Sequence, residues 1–254
     1  MEDQSRLEDT LALMRDLRRR CEWDAAQDHA SLRPYLIEEA HEVDDAIRRG
    51  DDRALREELG DLLLQVLFHA VLAEERGAFA MQDVASGLVT KMRGRHPHLY
   101  GEGAKEPWER MKARRRTSIG EGLPATLPAL HRAQRLQDRA AGVGFDWPTI
   151  DGPADKVREE LAEVTHELMQ PTVDRARVED ELGDLLFACV NLCRKAGVHA
   201  ALALDGANLK FERRFAGVER LAASRGLVVA EQPLDVLDGL WDEVKAAERS
   251  AAAG

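Results

Sequence analysis

Aromatic residues are scarce in this chain, at 5% of its 254 residues, and extended β-branched runs are absent. A sheet-dominated core is thereby disfavoured, while the abundance of Ala, Leu, Glu and Arg suits helices. Cysteine is also sparse. Cys21, Cys189 and Cys193 form an odd set with no Cys-x-x-Cys or zinc-type spacing, which argues against a disulfide framework and a zinc site and for buried thiols in a reducing compartment. No apolar stretch is long enough to span a bilayer, and Met1-Glu2-Asp3-Gln4 lacks the basic and apolar regions of a secretory signal. The reading is therefore a cytoplasmic protein with no membrane partner. Excess positive charge is missing too. A net charge of -11 argues against a nucleic-acid polymer as partner, although a small phosphorylated anion held through a cation stays compatible. The basic run Lys112-Ala113-Arg114-Arg115-Arg116 is short and reads as a solvated helix end.

What the chain does have is an acidic signature written twice. Glu38-Glu39-Ala40-His41-Glu42 is followed by Glu58-Leu59-Gly60-Asp61, and Glu159-Glu160-Leu161-Ala162-Glu163 by Glu181-Leu182-Gly183-Asp184. Residues three apart share a helix face, so two antiparallel helices bring four carboxylates to one spot. Two unit charges about 4 Å apart repel by roughly 4 kcal/mol at the effective dielectric near a protein surface. A hard divalent cation such as Mg2+ or Mn2+, which prefers oxygen ligands, removes that cost. The alternative, a solvated helix face, fits poorly. Asp61 opens Leu62-Leu63-Leu64-Gln65-Val66-Leu67-Phe68 and Asp184 opens Leu185-Leu186-Phe187-Ala188-Cys189-Val190, and an acid at the mouth of an apolar helix is not on a wholly wet face.

The hydrophobic period and the caps predict an all-α fold in two modules, residues 1–119 and 120–254, with the linker at Gly120-Glu121-Gly122-Leu123-Pro124. In the first, helices are expected at about Leu7 to Arg20, Ser31 to Arg49, a third running to Glu75 after the Gly50-Asp51-Asp52 stop and N-cap, and Met81 to Arg95, ended by His96-Pro97. In the second they are expected at Pro128 to Ala141, Gly152 to Met169, Asp174 to Ala196, Ala200 to Leu221 and from Pro233 onward, with Gly144-Phe145-Asp146-Trp147-Pro148 irregular.

The duplication extends past the acids. Lys91 and Arg95 align with Lys210 and Arg214, each pair four apart on one helix face, and Trp108 with Trp241. A carboxylate cluster that holds cations, joined by a Lys/Arg pair that meets phosphate oxygens, is the equipment of phosphoryl transfer or phosphate hydrolysis. Glu38-x-x-His41 also fits the di-iron carboxylate pattern. The second copy has Ala162 in place of His41, which disfavours iron.

These acid pairs, with Arg95-His96-Pro97-His98 and Asn208-Leu209-Lys210-Phe211-Glu212-Arg213-Arg214-Phe215, resemble the MazG nucleoside triphosphate pyrophosphohydrolases over nearly the whole chain, in tandem form. The resemblance implies four-helix-bundle type modules, a homodimer, Mg2+, and conversion of a nucleoside triphosphate to the monophosphate and pyrophosphate by water attack at the α-phosphorus. Carried over by position, it implies that Glu160, Glu163, Glu181 and Asp184 ligate metal with Asp180 adjacent, and that Lys210 and Arg214 bind phosphate. Lys156 and Trp241 would line the nucleotide. Glu39, Glu42, Glu58 and Asp61 would form a second metal set, with Lys91, Arg95 and Trp108 beside it. The first half departs from the pattern: Val89 stands opposite Asn208, Tyr35 opposite Lys156, Gly94 weakens the helix of Lys91 and Arg95, and Glu22 replaces a common Pro. The second half is thus expected to be the main catalytic module. The competing reading is a non-catalytic helical nucleotide sensor or adaptor that retains a metal site.

Overall fold

The structure is a computed structural model that describes residues 6–101 and 116–252. Among the described residues the regular structure is entirely helical, eleven α-helices and one 3-10 turn, as the sequence predicts. The chain divides into two compact units, residues 1–105 and 106–254.

The first unit contains α1 (Leu7–Arg20), α2 (Glu22–Ala26), α3 (Arg33–Arg49), α4 (Asp52–Glu75), α5 (Met81–Arg95) and α6 (Pro97–Tyr100). Gly50 ends α3 in the left-handed region at φ 65°, and Asp51 then caps α4 by accepting from the backbone N–H groups of Arg53 and Ala54. Helix α3 starts two residues later than expected. Asp28 Oδ1 accepts from the N–H groups of Ala30 and Ser31, both at 2.8 Å, and that local turn outcompetes helix over Ser31.

Helix α4 is the spine of this unit, packed by α1, α3 and α5. Its Leu67, Phe68, Val71 and Leu72 form a core with Met14 of α1 and Leu32, each large side chain contributing roughly 1.5–3 kcal/mol of burial. Two ion pairs clamp α1 to the end of α4: Arg15 to Glu74 at 2.9 Å and Arg18 to Glu75 at 2.6 Å. Arg18 also donates to the carbonyls of Asp24 and Gln27, which fixes α2, a short helix that is not among those expected from the sequence.

The second unit contains α7 (Ala129–Gly142), α8 (Asp151–Leu168), α9 (Arg175–Lys195), α10 (Ala200–Ser224), a 3-10 turn at Val229–Glu231 and α11 (Leu234–Ala252). Helices α8 and α9 form its main pair, α7 packs on α9 and α10, and α11 packs on α10. Between α9 and α10 the chain bends by 101°. The buried Gln134 of α7 caps the start of α10, its Oε1 accepting from the Ala200 N–H at 2.9 Å. Val218 and Ala222 of α10 meet Leu240 of α11 in a separate core. Gly217 permits that approach, because a Cβ there would lie 2.9 Å from Val244 Cγ1.

The 119/120 division read from the sequence and the compact units differ by residues 106–119. Arg139 of α7 donates to the carbonyls of Ile119 and Glu121 at 2.7 and 2.8 Å, which ties those two residues to the second unit. No single helix among the described residues is long and apolar enough to cross a membrane.

Candidate active site

Spacing on two facing helices places the acids. Glu160 and Glu163 sit one turn apart on α8 and Glu181 on α9, and one carboxylate oxygen from each lies within 4.8 Å of the others. Glu160 is only 3% exposed, and its Oε2 has no hydrogen-bond partner among the described residues. A buried anionic oxygen without a donor calls for a cation. Lys156, one turn earlier, supplies part of one, with Nζ 2.5 Å from Glu160 and 2.9 Å from Glu159. Those hydrogen bonds, Glu160 first, push the Lys156 ammonium pKa well up. The Glu163 carboxyl is raised by a shared hydrogen bond with Glu160, by burial and by the charges of Glu160 and Glu181. Asp184, one turn beyond Glu181, lines the same cavity as Glu160. Asp180 is exposed and stands outside the convergent trio.

The first unit repeats the arrangement with Glu39 of α3 and Glu58 and Asp61 of α4, again within 4.8 Å. Glu39 Oε2 is likewise buried without a partner. Its carboxyl is raised by burial and by the charges of Asp61 and Glu42. Glu58 is raised by burial and by Glu42 and Asp61, with Glu42 hydrogen-bonded to both. Tyr35 occupies the position equivalent to Lys156, so this copy has no cation in that place. His41 is exposed and outside the trio, which leaves the iron reading unsupported. Both trios suit a hard divalent cation by donor type, since all their ligands are oxygens.

Arg214 of the basic pair is engaged with α11. Arg214 Nε donates to Glu248 of α11 at 2.7 Å, its guanidinium lies 5.8 Å from the Trp241 ring centroid, and Trp241 packs on Phe211. Lys210 is exposed. Among the described residues Arg214 pairs with Glu248, and Glu160 with Lys156. Lys91 is exposed and Arg95 half-buried on α5. Trp108, like Lys112 to Arg115, lies outside the described residues.

One feature of the site escapes a reading of repeats. A cavity of about 520 Å³ opens beside the acids, walled by Leu136, Phe145, Trp147, Phe187 and the buried amides Gln137 and Asn191, with Lys156, Glu160 and Asp184 at its polar end. The segment from Phe145 to Trp147 is latched to α9 by Asp146, which pairs with Arg194 at 2.5 Å and Lys195 at 3.1 Å, and by Lys195 donating to the Trp147 carbonyl. Burial alone would raise the Asp146 carboxyl, but the hydrogen bonds and charges of Arg194 and Lys195 outweigh it and hold it below the usual range. A depressed folded pKa contributes stability above the unfolded value of 3.8 and loses it as pH falls through the folded one. Asp146→Ala is therefore expected to destabilise the second unit at neutral pH by about 1–3 kcal/mol. The difference from wild type should shrink as acid titrates the native carboxylate. A pH-independent difference in urea midpoints would remove the latch.

The sequence profile of the MazG nucleotide pyrophosphohydrolase domain matches the chain twice, over residues 27–100 and 153–218. The chain belongs to the MazG family. It is 45% identical over 247 residues to the nucleoside triphosphate pyrophosphohydrolase of Escherichia coli strain K12, covering 92% of this chain and 94% of that protein. It is 42% identical over 253 residues to the nucleoside triphosphate pyrophosphohydrolase/pyrophosphatase MazG of Thermotoga maritima, with 96% and 97% covered. A Mycobacterium tuberculosis protein with the first of those names is 37% identical over 214 residues, 80% of this chain and 62% of that protein. Each MazG match contains one complete set of acids and one Lys/Arg pair. Gln137, Phe145, Trp147 and Trp241 fall outside both matches.

Proposed function

We propose that the chain hydrolyses nucleoside triphosphates, ribo- or deoxyribo-, to the monophosphate and pyrophosphate, in control or sanitation of the cytoplasmic nucleotide pool, with the second unit as the main catalytic module. The observation that carries this is the convergence of Glu160, Glu163 and Glu181, with the orphaned Glu160 oxygen, at the end of a cavity large enough for a nucleoside. Mg2+, with Mn2+ as substitute, would be held by Glu160, Glu163, Glu181 and Asp184, with Asp180 adjacent. When bound, such an ion stabilises charge on phosphate oxygens and lowers the pKa of a water. Lys156 orients Glu160 and faces the phosphates. Lys210 and Arg214 are assigned to phosphate binding, which requires Arg214 to leave Glu248 or to act in a second copy of the chain. The exposed apolar residues Leu182, Leu186, Phe187 and Leu202 favour the homodimer that the resemblance implies.

A panel of triphosphates incubated with the full chain and Mg2+ tests the activity. Pyrophosphate should be released from at least one nucleotide, and release from none would sink the hydrolase in favour of a nucleotide sensor. Asp61→Asn separates the modules. If Glu39, Glu42, Glu58 and Asp61 hold a catalytic metal of their own, with Lys91, Arg95 and Trp108 beside the nucleotide, this variant loses rate on some nucleotides. The weaker set of residues around those acids leads us to expect a loss of less than about twofold, in contrast to the second unit, where removing one ligand costs about 100-fold or more.

A further inference from the structure

We infer that His29 and His69 form a proton-sensitive clasp that fastens the start of α3 to α4 in the first unit, and that acid opens it. Such a clasp acts on the stability of that unit whether or not the chain is a hydrolase. The two rings come from positions 40 residues apart and stack, with centroids 5.1 Å apart and planes 11° from parallel. Their Nδ1 atoms lie 2.8 Å from each other. A contact that short between two nitrogens holds one proton, so one ring donates its Nδ1–H and the other accepts it on Nδ1. A neutral imidazole carries a single N–H. The donor ring is therefore left with a bare lone pair on Nε2, and the accepting ring carries its own proton on Nε2. Both Nε2 atoms are buried without a partner among the described residues.

This arrangement resists protonation twice over. A first added proton has only the bare Nε2 to go to, which places a charge and an unmatched N–H where water does not reach. A second must replace the lone pair inside the clasp, setting two N–H groups against each other at 2.8 Å. Opening takes up both. Burial first, and then the neighbouring His29, accordingly push the His69 imidazole below its ordinary value of 6.5. A depressed histidine contributes stability above the unfolded value of 6.5 and loses it as pH falls through the folded one. The charged groups brought by the packed elements leave that sign in place. Arg15 and Arg18 of α1 are held by Glu74 and Glu75 of α4, with Asp24 of α2 beside Arg18. Asp28, next to His29, is held low chiefly by the Ser31 and Ala30 N–H groups, and Glu75 by Arg18, so both keep their charge between about pH 5 and 7.5. Arg33 at the start of α3 is exposed, and Asp83 of α5 accepts from the Ala80 N–H. Glu39 of α3 and Glu58 of α4, both raised, act in the opposite sense, because a raised carboxyl gains stability as pH falls. The histidine contribution is therefore read as a difference between wild type and a variant.

Backbone hydrogen exchange of the metal-free full-length protein tests the clasp, read peptide by peptide at about pH 7.5 and about pH 5 and corrected for the intrinsic rate. Denying one imidazole its proton over that interval favours the open form by about 30-fold. Peptides from residues 29–36 and 69–75 should lose protection by about that factor on acidification. In the double variant His29→Leu/His69→Leu, which packs similar volume and binds no proton, the loss should be at least about 10-fold smaller. An equal loss in wild type and folded variant would overturn the clasp. Should the variant not fold, nitrogen-15 spectra of the histidine-labelled wild type decide alone. Of the eight histidines, one should stand as the Nδ1–H tautomer and its partner as Nε2–H. Both should stay short of full protonation at about pH 5.5, where a free imidazole is charged. Two ordinary titrations near the free value, with no Nδ1–H tautomer, would overturn the inference.

Discussion

Glu181→Gln should lower pyrophosphate release from every nucleoside triphosphate by about 100-fold or more while leaving the far-ultraviolet helical signal unchanged. The amide keeps the volume of the carboxylate and loses its charge, and Glu181 is one of three acids whose oxygens converge within 4.8 Å. Two carboxylates about 4 Å apart cost roughly 4 kcal/mol at an effective dielectric of about 20, so the metal-free variant should melt at or above wild type. A catalytic residue that stabilises the fold would do the opposite. The wild type should gain thermal stability from Mg2+ by mass action, about 2.7 kcal/mol at 100 times the dissociation constant, and the variant should lose most of that gain. Wild-type turnover in Glu181→Gln would take the carboxylate out of the site.

The convergence of three acids in each unit was legible in the sequence because helical spacing is short-range information, while the fourth of each expected set, Glu42 and Asp184, stands outside the trio. Glu-x-x-Glu on one helix and Glu-x-x-Asp on the next converge wherever the two helices pack antiparallel, and the Gly50 stop with the Asp51 cap made the first pairing readable. Helix bounds were legible to within a few residues for the same reason, and Asp174, expected to open α9, is its cap, with a side chain that accepts from the Ala176 N–H. The pairing of Arg214 with Glu248 was not. The spacing of Lys210 and Arg214 puts them on one face of α10, but which partner that face meets depends on the 101° bend before it and on Glu248 of α11, neither of which the repeat encodes. The cavity beside the acids was hidden for a related reason. Its walls come from α7, an irregular segment and α9, far apart in the chain. Gly144-Phe145-Asp146-Trp147-Pro148 looked like a connector, and the cue within it was Asp146, an acid that pairs with two cations 48 and 49 residues away.

Phe68→Ala probes how far the two units depend on each other. Phe68 is 2% exposed in the core of the first unit. Its ring meets Trp23 edge-on at 6.5 Å and lies 5.8 Å from the Arg18 guanidinium. Truncating a buried Phe to Ala costs about 3–5 kcal/mol, a large part of the 5–15 kcal/mol that a typical domain possesses. Because the second unit has its own core at Val218, Ala222 and Leu240, the expected result is two unfolding transitions, the earlier one carrying the first unit. At a temperature between them, pyrophosphate release should continue if the acids of α8 and α9 suffice. Activity lost in step with the first transition would make the first unit part of the enzyme. One transition, shifted as a whole, would mean that the two cores unfold as a single cooperative body, and a lesion in the module with the weaker nucleotide residues would then control the lifetime of the stronger one.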